Sequence, residues 1–351
     1  MEQKTRIGVV GATGYVGMEL VRILSGHPGF NLTCLVSHSH AGRLMSDIYP
    51  AFTRLADLPL QTLDPDQLAT DCDLVITALP HGVSSKIVPQ LLERGLKVLD
   101  HSGDFRYRDV SVYEKAYKLS HPCPELLQEA VYGLPELYRD AISRARLVAN
   151  PGCYPTCSLL ALKPLLENRL VKTEGIIIDA VSGISGAGRK ADVAYSYCEA
   201  AENYKAYGIV GHRHTSEIEQ ECGYLAGLGQ PLVVSFTPHL APLKRGMLAT
   251  VYADLLPDVQ ADRLQEAYLQ AYENEYFIRL LPAGRSPETS HVAFSNFADI
   301  SVQIDSRAGK AKVLCAIDNL GKGAAAQAVQ SLNLMAGFSE GEGLKKPGHA
   351  L

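Results

Sequence analysis

The sequence is notable first for what it does not contain. No apolar run approaches the roughly 20 residues that a membrane-spanning helix requires. The N-terminus, MEQKTRIGVVG, passes straight into a strand-like segment without the apolar stretch and small-residue cleavage site of a secretion signal. There is no excess of positive charge. The 33 Lys and Arg against 38 Asp and Glu leave a formal net charge of -5, which argues against a nucleic-acid-binding surface. The 8 cysteines are scattered and form no CxxC pair, so reduced thiols in a cytoplasmic protein are expected, most of them packed in the interior. Internal repeats and low-complexity segments are also missing.

What is present is a change of pattern near residue 150. In the first part, short apolar runs (TRIGVV at 5–10, NLTCLV at 31–36, DLVITALP at 73–80, LKVLDHS at 96–102) alternate with helix-like stretches. Strands apolar on both faces and separated by helices belong to a parallel sheet covered on both sides. After residue 150 the strand-like runs lengthen, lie closer together and alternate polar with apolar residues, as in TEGIIIDAVSG (173–183), LVVSFTPHLAP (232–242), LATVYADL (248–255), SNFADISVQID (295–305) and KVLCAIDN (312–319). Helices are expected at 156–168, 259–275 and 323–337. This part reads as a mixed sheet with helices on one face. The fold class is therefore α/β: an N-terminal Rossmann-type doubly wound parallel sheet and an α+β domain with a mixed sheet. The final segment, FSEGEGLKKPGHAL, is polar and glycine-rich and is expected to be loosely ordered.

The first strand feeds into Gly11-x-x-Gly14-x-x-Gly17 and then a helix. Glycines here permit a tight turn, backbone approach to a pyrophosphate and close helix–strand packing, while the helix N-terminus offers free N–H groups to phosphate. Gly11, Thr13, Gly14, Tyr15, Val16 and Gly17 are the expected dinucleotide contacts. The end of the second strand, LVSHSHAGR, lacks the acidic residue that would hold the ribose of NAD. Ser37, His38 and Arg43 suit a 2′-phosphate instead, so NADP(H) is the expected cofactor.

The stretch ANPGCYPT places Cys153 at or just before a helix N-terminus, where the dipole and unpaired N–H groups stabilise a thiolate. Cys157, one turn on, reads as packing. A cysteine nucleophile needs a proton-transfer partner, and YGIVGHRHTSEIEQ offers His212 and His214. These read as two residues on an extended segment pointing the same way, with Thr215-Ser216-Glu217 opening a helix as a capping sequence. A metal site is disfavoured because no third ligand follows at helical spacing. Cations on loops after strands, among them Arg106, Arg189, Lys244 and Arg245, suggest a substrate with more than one negative group.

Taken together, GVVGATGYVG, ANPGCYPT, SGISGAGR, GHRHTSEIEQ and NLGKGAAAQAVQ resemble the N-acetyl-gamma-glutamyl-phosphate reductases of arginine biosynthesis, over essentially the whole chain and in order. The resemblance implies that Cys153 attacks an acyl phosphate, expels phosphate and leaves a thioester that NADPH reduces to a semialdehyde. It implies His214 as acid/base, with His212 in reserve for that role or for holding substrate. It also implies cofactor contacts from Pro80, Ser182, Gly183 and Asn319, and substrate contacts from Arg106, Asn150, Arg189, His212 and Lys244. Residues 1–150, completed by the C-terminal helix within 321–351, would form the cofactor domain. Residues 151–320 would form the catalytic and oligomerisation domain of a cytoplasmic homo-oligomer, a dimer or tetramer, acting on a small molecule. Three positions depart from the family pattern: Cys157 stands where glycine or alanine is common, Ala326 where glycine is common, and His38 where a basic residue is common. The alternatives are an aspartate-semialdehyde dehydrogenase and a reductase whose acyl phosphate is tethered to a carrier protein.

Overall fold

The structure, a computed structural model, describes residues 4–348. It divides into two compact units. One gathers the chain up to Pro151 together with Ala324–Lys346, the other Gly152–Gly323 together with the residues from Pro347 on.

The first unit is built on seven strands: β1 (Thr5–Val10), β2 (Phe30–Val36), β3 (Leu60–Gln61), β4 (Leu74–Thr77), β5 (Lys97–Asp100), β6 (Val131–Tyr132) and β7 (Leu147–Ala149). Their order is β3-β2-β1-β4-β5-β7-β6, and every pairing is parallel. The helices between them are α1 (Tyr15–Leu24), α2 (Met45–Ile48), α3 (Pro65–Asp71), α4 (Ser84–Glu93), α5 (Val110–Tyr117) and α6 (Pro135–Arg144). The central strands are buried on both faces because they are apolar throughout, as in the four consecutive buried residues of β4, LVIT. On one side Val10, Val36, Val75 and Val98 pack with Val88, Leu91 and Leu92 of α4.

A last helix, Ala326–Met335, returns to this unit and is buried along almost its whole length. Its polar residues find partners rather than water. Gln327 Nε2 and Ser331 Oγ both donate to Gly133 O, and Gln330 Nε2 donates to Glu136. The segment after it is ordered, contrary to the expectation from its composition. Phe338 packs edge-on against Phe30 with ring centroids 5.1 Å apart, Glu340 pairs with Arg139, and His27 Nε2 donates to Glu342 O. Asn333 Nδ2 also donates to Glu340 O and Glu342 O, and together these contacts fix the segment in place. Residues 349–351 lie outside the described residues.

The second unit holds β8 (Ile176–Gly183), β9 (Lys205–Ala206), β10 (Val234–Ala241), β11 (Met247–Asp254), β12 (Ile278–Leu280), β13 (Ala298–Asp305) and β14 (Lys310–Ile317), in the order β12-β13-β14-β11-β8-β10-β9. The sheet is mixed: β8 pairs parallel with β10 and antiparallel with β11. Its helices are α7 (Cys153–Glu167), α8 (Tyr197–Ala200), α9 (Arg213–Leu225), α10 (Ala261–Tyr272) and α11 (Thr289–Val292). Burial alternates along β11, with Met247, Ala249, Val251 and Ala253 inside. Helix α7 packs over β11 and β14 and buries twelve of its residues, which makes it a rigid mount for whatever its first turn carries.

Candidate active site

The glycine loop has the form the sequence requires. Gly11 has φ of +90°, and a Cβ there would lie 2.3 Å from Ala78 O. A Cβ on Gly17 would lie 2.1 Å from Gly11 O, so the close contact of helix and strand excludes any side chain. Helix α1 starts at Tyr15 with Gly14 as its N-cap and no side-chain cap, leaving the N–H groups of its first turn to a ligand. Tyr15 and Val16 form that partly exposed turn. Thr13 Oγ1 and Ser37 Oγ lie 2.9 Å apart and tie the loop to the end of β2, where His38 and Arg43 are exposed. Pro80 follows β4 on the same carboxyl edge of the sheet. An uncapped helix start, two positions that cannot carry a Cβ, and exposed basic groups beyond β2 together fit a dinucleotide with a 2′-phosphate.

In the second unit Cys153 is the first residue of α7, with Gly152 as N-cap in extended conformation and no side-chain cap. The thiol is therefore at the positive end of a helix dipole. It is partly exposed, whereas Cys34, Cys72, Cys123, Cys157, Cys222 and Cys315 are buried. Cys157 donates to Cys315 O at 3.1 Å, as a packed thiol does. A Cβ added to Gly152 would meet His214 Nε2 at 2.4 Å, and one added to Gly323 would meet Cys153 Cβ at 2.8 Å. The imidazole of His214 thus lies directly against the turn that presents Cys153, and glycine is what allows it.

Two expectations about the histidine segment are corrected. His212 and His214 do not share an extended strand: α9 begins at Arg213, and His212 is its N-cap, with Nδ1 accepting from His214 N at 3.1 Å. The imidazole does the work expected of Thr215 and Ser216. Its protonation is pushed down to about 4 by burial and by the charge of Arg213, so it stays neutral and can accept. The ring is also enclosed by Tyr154, Tyr207 and Phe236, with centroids 5.3 to 5.7 Å away. Glu217 is not a cap. It is fully buried, one turn along α9 from His214, and its Oε1 accepts from Gly152 N at 2.9 Å. Sequence reasoning missed this because T-S-E before an apolar face imitates a capping sequence, while the partner is 65 residues away.

The remaining expected residues fall into separate groups. Arg106 and Asn150 are together in the first unit: Arg106 Nε donates to Asn150 O at 2.7 Å. In the second unit Asn319 accepts from Gly246 N and donates to Ser185 Oγ, fastening the loop after Gly183 to the start of β11. Ser182 is buried beside Gly183, and Lys244 is exposed on the adjoining loop. Arg189 is exposed on the loop after β8. Arg245, offered above as an anion-binding cation, is spent inside the fold: it pairs with buried Asp318 at 3.2 Å and lies over the ring of Phe294 at 4.1 Å.

Two family models cover this geometry. One, described as the NAD binding domain of semialdehyde dehydrogenase, matches residues 6–145, and the other, its dimerisation domain, matches residues 153–319. They define the class as that of the semialdehyde dehydrogenases. The same architecture recurs in aspartate semialdehyde dehydrogenase II from Vibrio cholerae, with a TM-score of 0.72 at 20% identity, over 95% of this chain and 99% of that one. It recurs also in an aspartate semialdehyde dehydrogenase solved with NADP from Candida albicans, with a TM-score of 0.70 at 18% identity, over 95% and 99%. Closer in sequence are the N-acetyl-gamma-glutamyl-phosphate reductases of Acetivibrio thermocellus (54% identical over 98% of this chain and 99% of the relative) and Geobacter sulfurreducens (48% over 97% and 98%). The chain belongs to the N-acetyl-gamma-glutamyl-phosphate reductase family.

Proposed function

We propose that the protein reduces N-acetyl-gamma-glutamyl phosphate to N-acetylglutamate 5-semialdehyde, releasing phosphate, through a thioester on Cys153. The observation that carries this reading is the placement of Cys153 at the first position of α7 with His214 Nε2 against Gly152. Sγ attacks the acyl carbon, the C–O bond to phosphate breaks, and phosphate leaves with the bonding pair. NADPH, held by Gly11, Thr13, Gly14, Tyr15, Val16 and Gly17 with His38 and Arg43 at its 2′-phosphate, supplies the hydride when bound. Cleavage of the C–S bond then releases the aldehyde and returns Cys153 as a thiolate. His214 takes the thiol proton before attack and returns it to the Cys153 thiolate once the aldehyde has left. Glu217 keeps Gly152 N–H, and so the nucleophile's turn, in place.

No helix among the described residues is long and apolar enough to cross a membrane. The reading extends to a cytoplasmic enzyme that works as a homo-oligomer. The face of β8 that carries exposed Ile177 and the name of the matching dimerisation model support association through the second unit.

The test runs the reaction backwards. NADP reduction should depend on phosphate and on N-acetylglutamate semialdehyde, with aspartate semialdehyde a poor substitute. Cys153→Ser should abolish turnover while NADP affinity stays within about twofold, because the cofactor cradle lies on other residues. Turnover retained by that variant would refute the covalent route.

A further inference from the structure

The ends of β5 and β7 carry a side-chain cluster centred on a residue to which the mechanism above gives no task. Asn150 is fully buried, and its Nδ2 lies 3.2 Å from Ala324 O and 2.8 Å from His101 Nδ1. A carbonyl oxygen only accepts, so the Asn150 atom that faces Ala324 is the amide nitrogen. That nitrogen only donates, and His101 Nδ1 must accept from it. The His101 ring is therefore neutral and carries its hydrogen on Nε2. Burial and the charge of Arg106 push its protonation down to about 3, in keeping with this tautomer.

The ring is partly exposed, and among the described residues Nε2 has no hydrogen-bond partner. The backbone around it is fixed: His101 N donates to Thr77 O at 2.8 Å, and Arg106 Nη2 donates to His101 O at 3.0 Å. The cluster thus presents an N–H that cannot become an acceptor, next to a permanent cation. Its complement is an anion rich in acceptor oxygens. The cofactor's pyrophosphate is not that anion, because its loop follows β1, two strands and so about 10 Å from β5.

We propose that His101 is a phosphate-binding residue, its Nε2–H fixed by Asn150 and acting with Arg106 on the phosphate that the reaction releases or takes up. The proposal rests on the acyl-phosphate reading above. It also changes the expected part of Asn150. With its amide hydrogens given to His101 and Ala324, Asn150 acts on the phosphate through His101, as a positioning residue.

The experiment is a calorimetric titration of inorganic phosphate into the full-length enzyme saturated with NADP. It compares the natural chain with His101→Leu, His101→Phe and His101→Gln, and NADP affinity is measured for each. The natural chain should bind phosphate, and His101→Leu and His101→Phe should bind it about ten- to a hundredfold more weakly, the worth of a hydrogen bond to a charged group. NADP affinity should not move. His101→Gln, whose amide N–H can donate, should recover most of the loss. In the reverse assay the KM for phosphate should rise far more than kcat falls. Equal phosphate affinity with and without the imidazole, no phosphate binding by the natural chain, or a parallel loss of NADP affinity would each overturn the proposal. If phosphate binds as expected but supports no NADP reduction, the proposed reaction fails and the phosphate site stands.

Discussion

At the scale of single residues, the question the sequence left open was the division of labour between His212 and His214. Position on the helix favours His214 for the proposed acid/base role. His214 Nε2 abuts the Gly152 turn, whereas His212 Nδ1 is committed to the N–H of His214 and its ring is walled in by aromatic residues. His214→Asn should lower kcat by about 10²–10⁴, the usual worth of a placed acid/base. His212→Asn should cost less than about tenfold, because asparagine also caps a helix N-terminus well. Steady-state kinetics on the two variants decides this; a larger loss at position 212 would reverse the assignment. That Cys153 opens a helix was legible, because a helix start is written in its local neighbours. Glu217, His101 and the Arg245–Asp318 pair were not. Each takes its meaning from a partner distant in sequence, and an arginine on a loop looks the same whether it waits for substrate or is paired with a buried carboxylate.

Among the elements, those with a long apolar signature were readable. β4 and β5 were recognised because both of their faces are buried, and β8 and β11 because burial alternates along them. The two-residue strands β3, β6 and β9 were invisible, since two residues show no period. The turn between α1 and β2 was also silent, although it anchors the C-terminal segment. His27 Nδ1 accepts from Gly29 N and Phe30 N while Nε2–H donates to Glu342 O, an arrangement that only the neutral ring can make. Burial lowers its affinity for a proton below the ordinary value of 6.5, against smaller opposing contributions from Glu342 and Asn333, while Lys4 adds to the lowering. The sign follows. Above pH 6.5 neither folded nor unfolded chain protonates this ring, and its contribution is complete. Below pH 6.5 the unfolded chain takes up a proton that the folded one refuses, so stability falls as pH falls. Melting temperature measured from pH 8 to pH 5 should therefore decline more steeply in the natural chain than in His27→Gln. Parallel curves would show that the ring is no proton-sensitive latch.

On the scale of the whole molecule, the feature that organises everything is that the first unit is made from two stretches far apart in the chain. The chain leaves it after Pro151 to build the second unit and comes back at Ala324. The returning helix buries Val329, Leu332 and Met335, each worth about 1.5–3 kcal/mol. Their sum is comparable with the about 5–15 kcal/mol that holds a typical domain together. A chain ending at Gly323 should consequently lose NADP binding and the cooperative melting of the first unit. Calorimetry would show this, and retained NADP affinity would disprove it.

The same path sets an order of events on the ribosome. The glycine loop is made well before residues 324–346, and until then its sheet lacks the covering helix. The second unit, drawn almost wholly from one continuous stretch, has its parts in hand earlier. Cys153 can thus be mounted on its helix while the apparatus that would reduce its thioester is still unfinished. During that interval a nascent chain is a bare thiol, open to acylation or oxidation before it can complete a turnover.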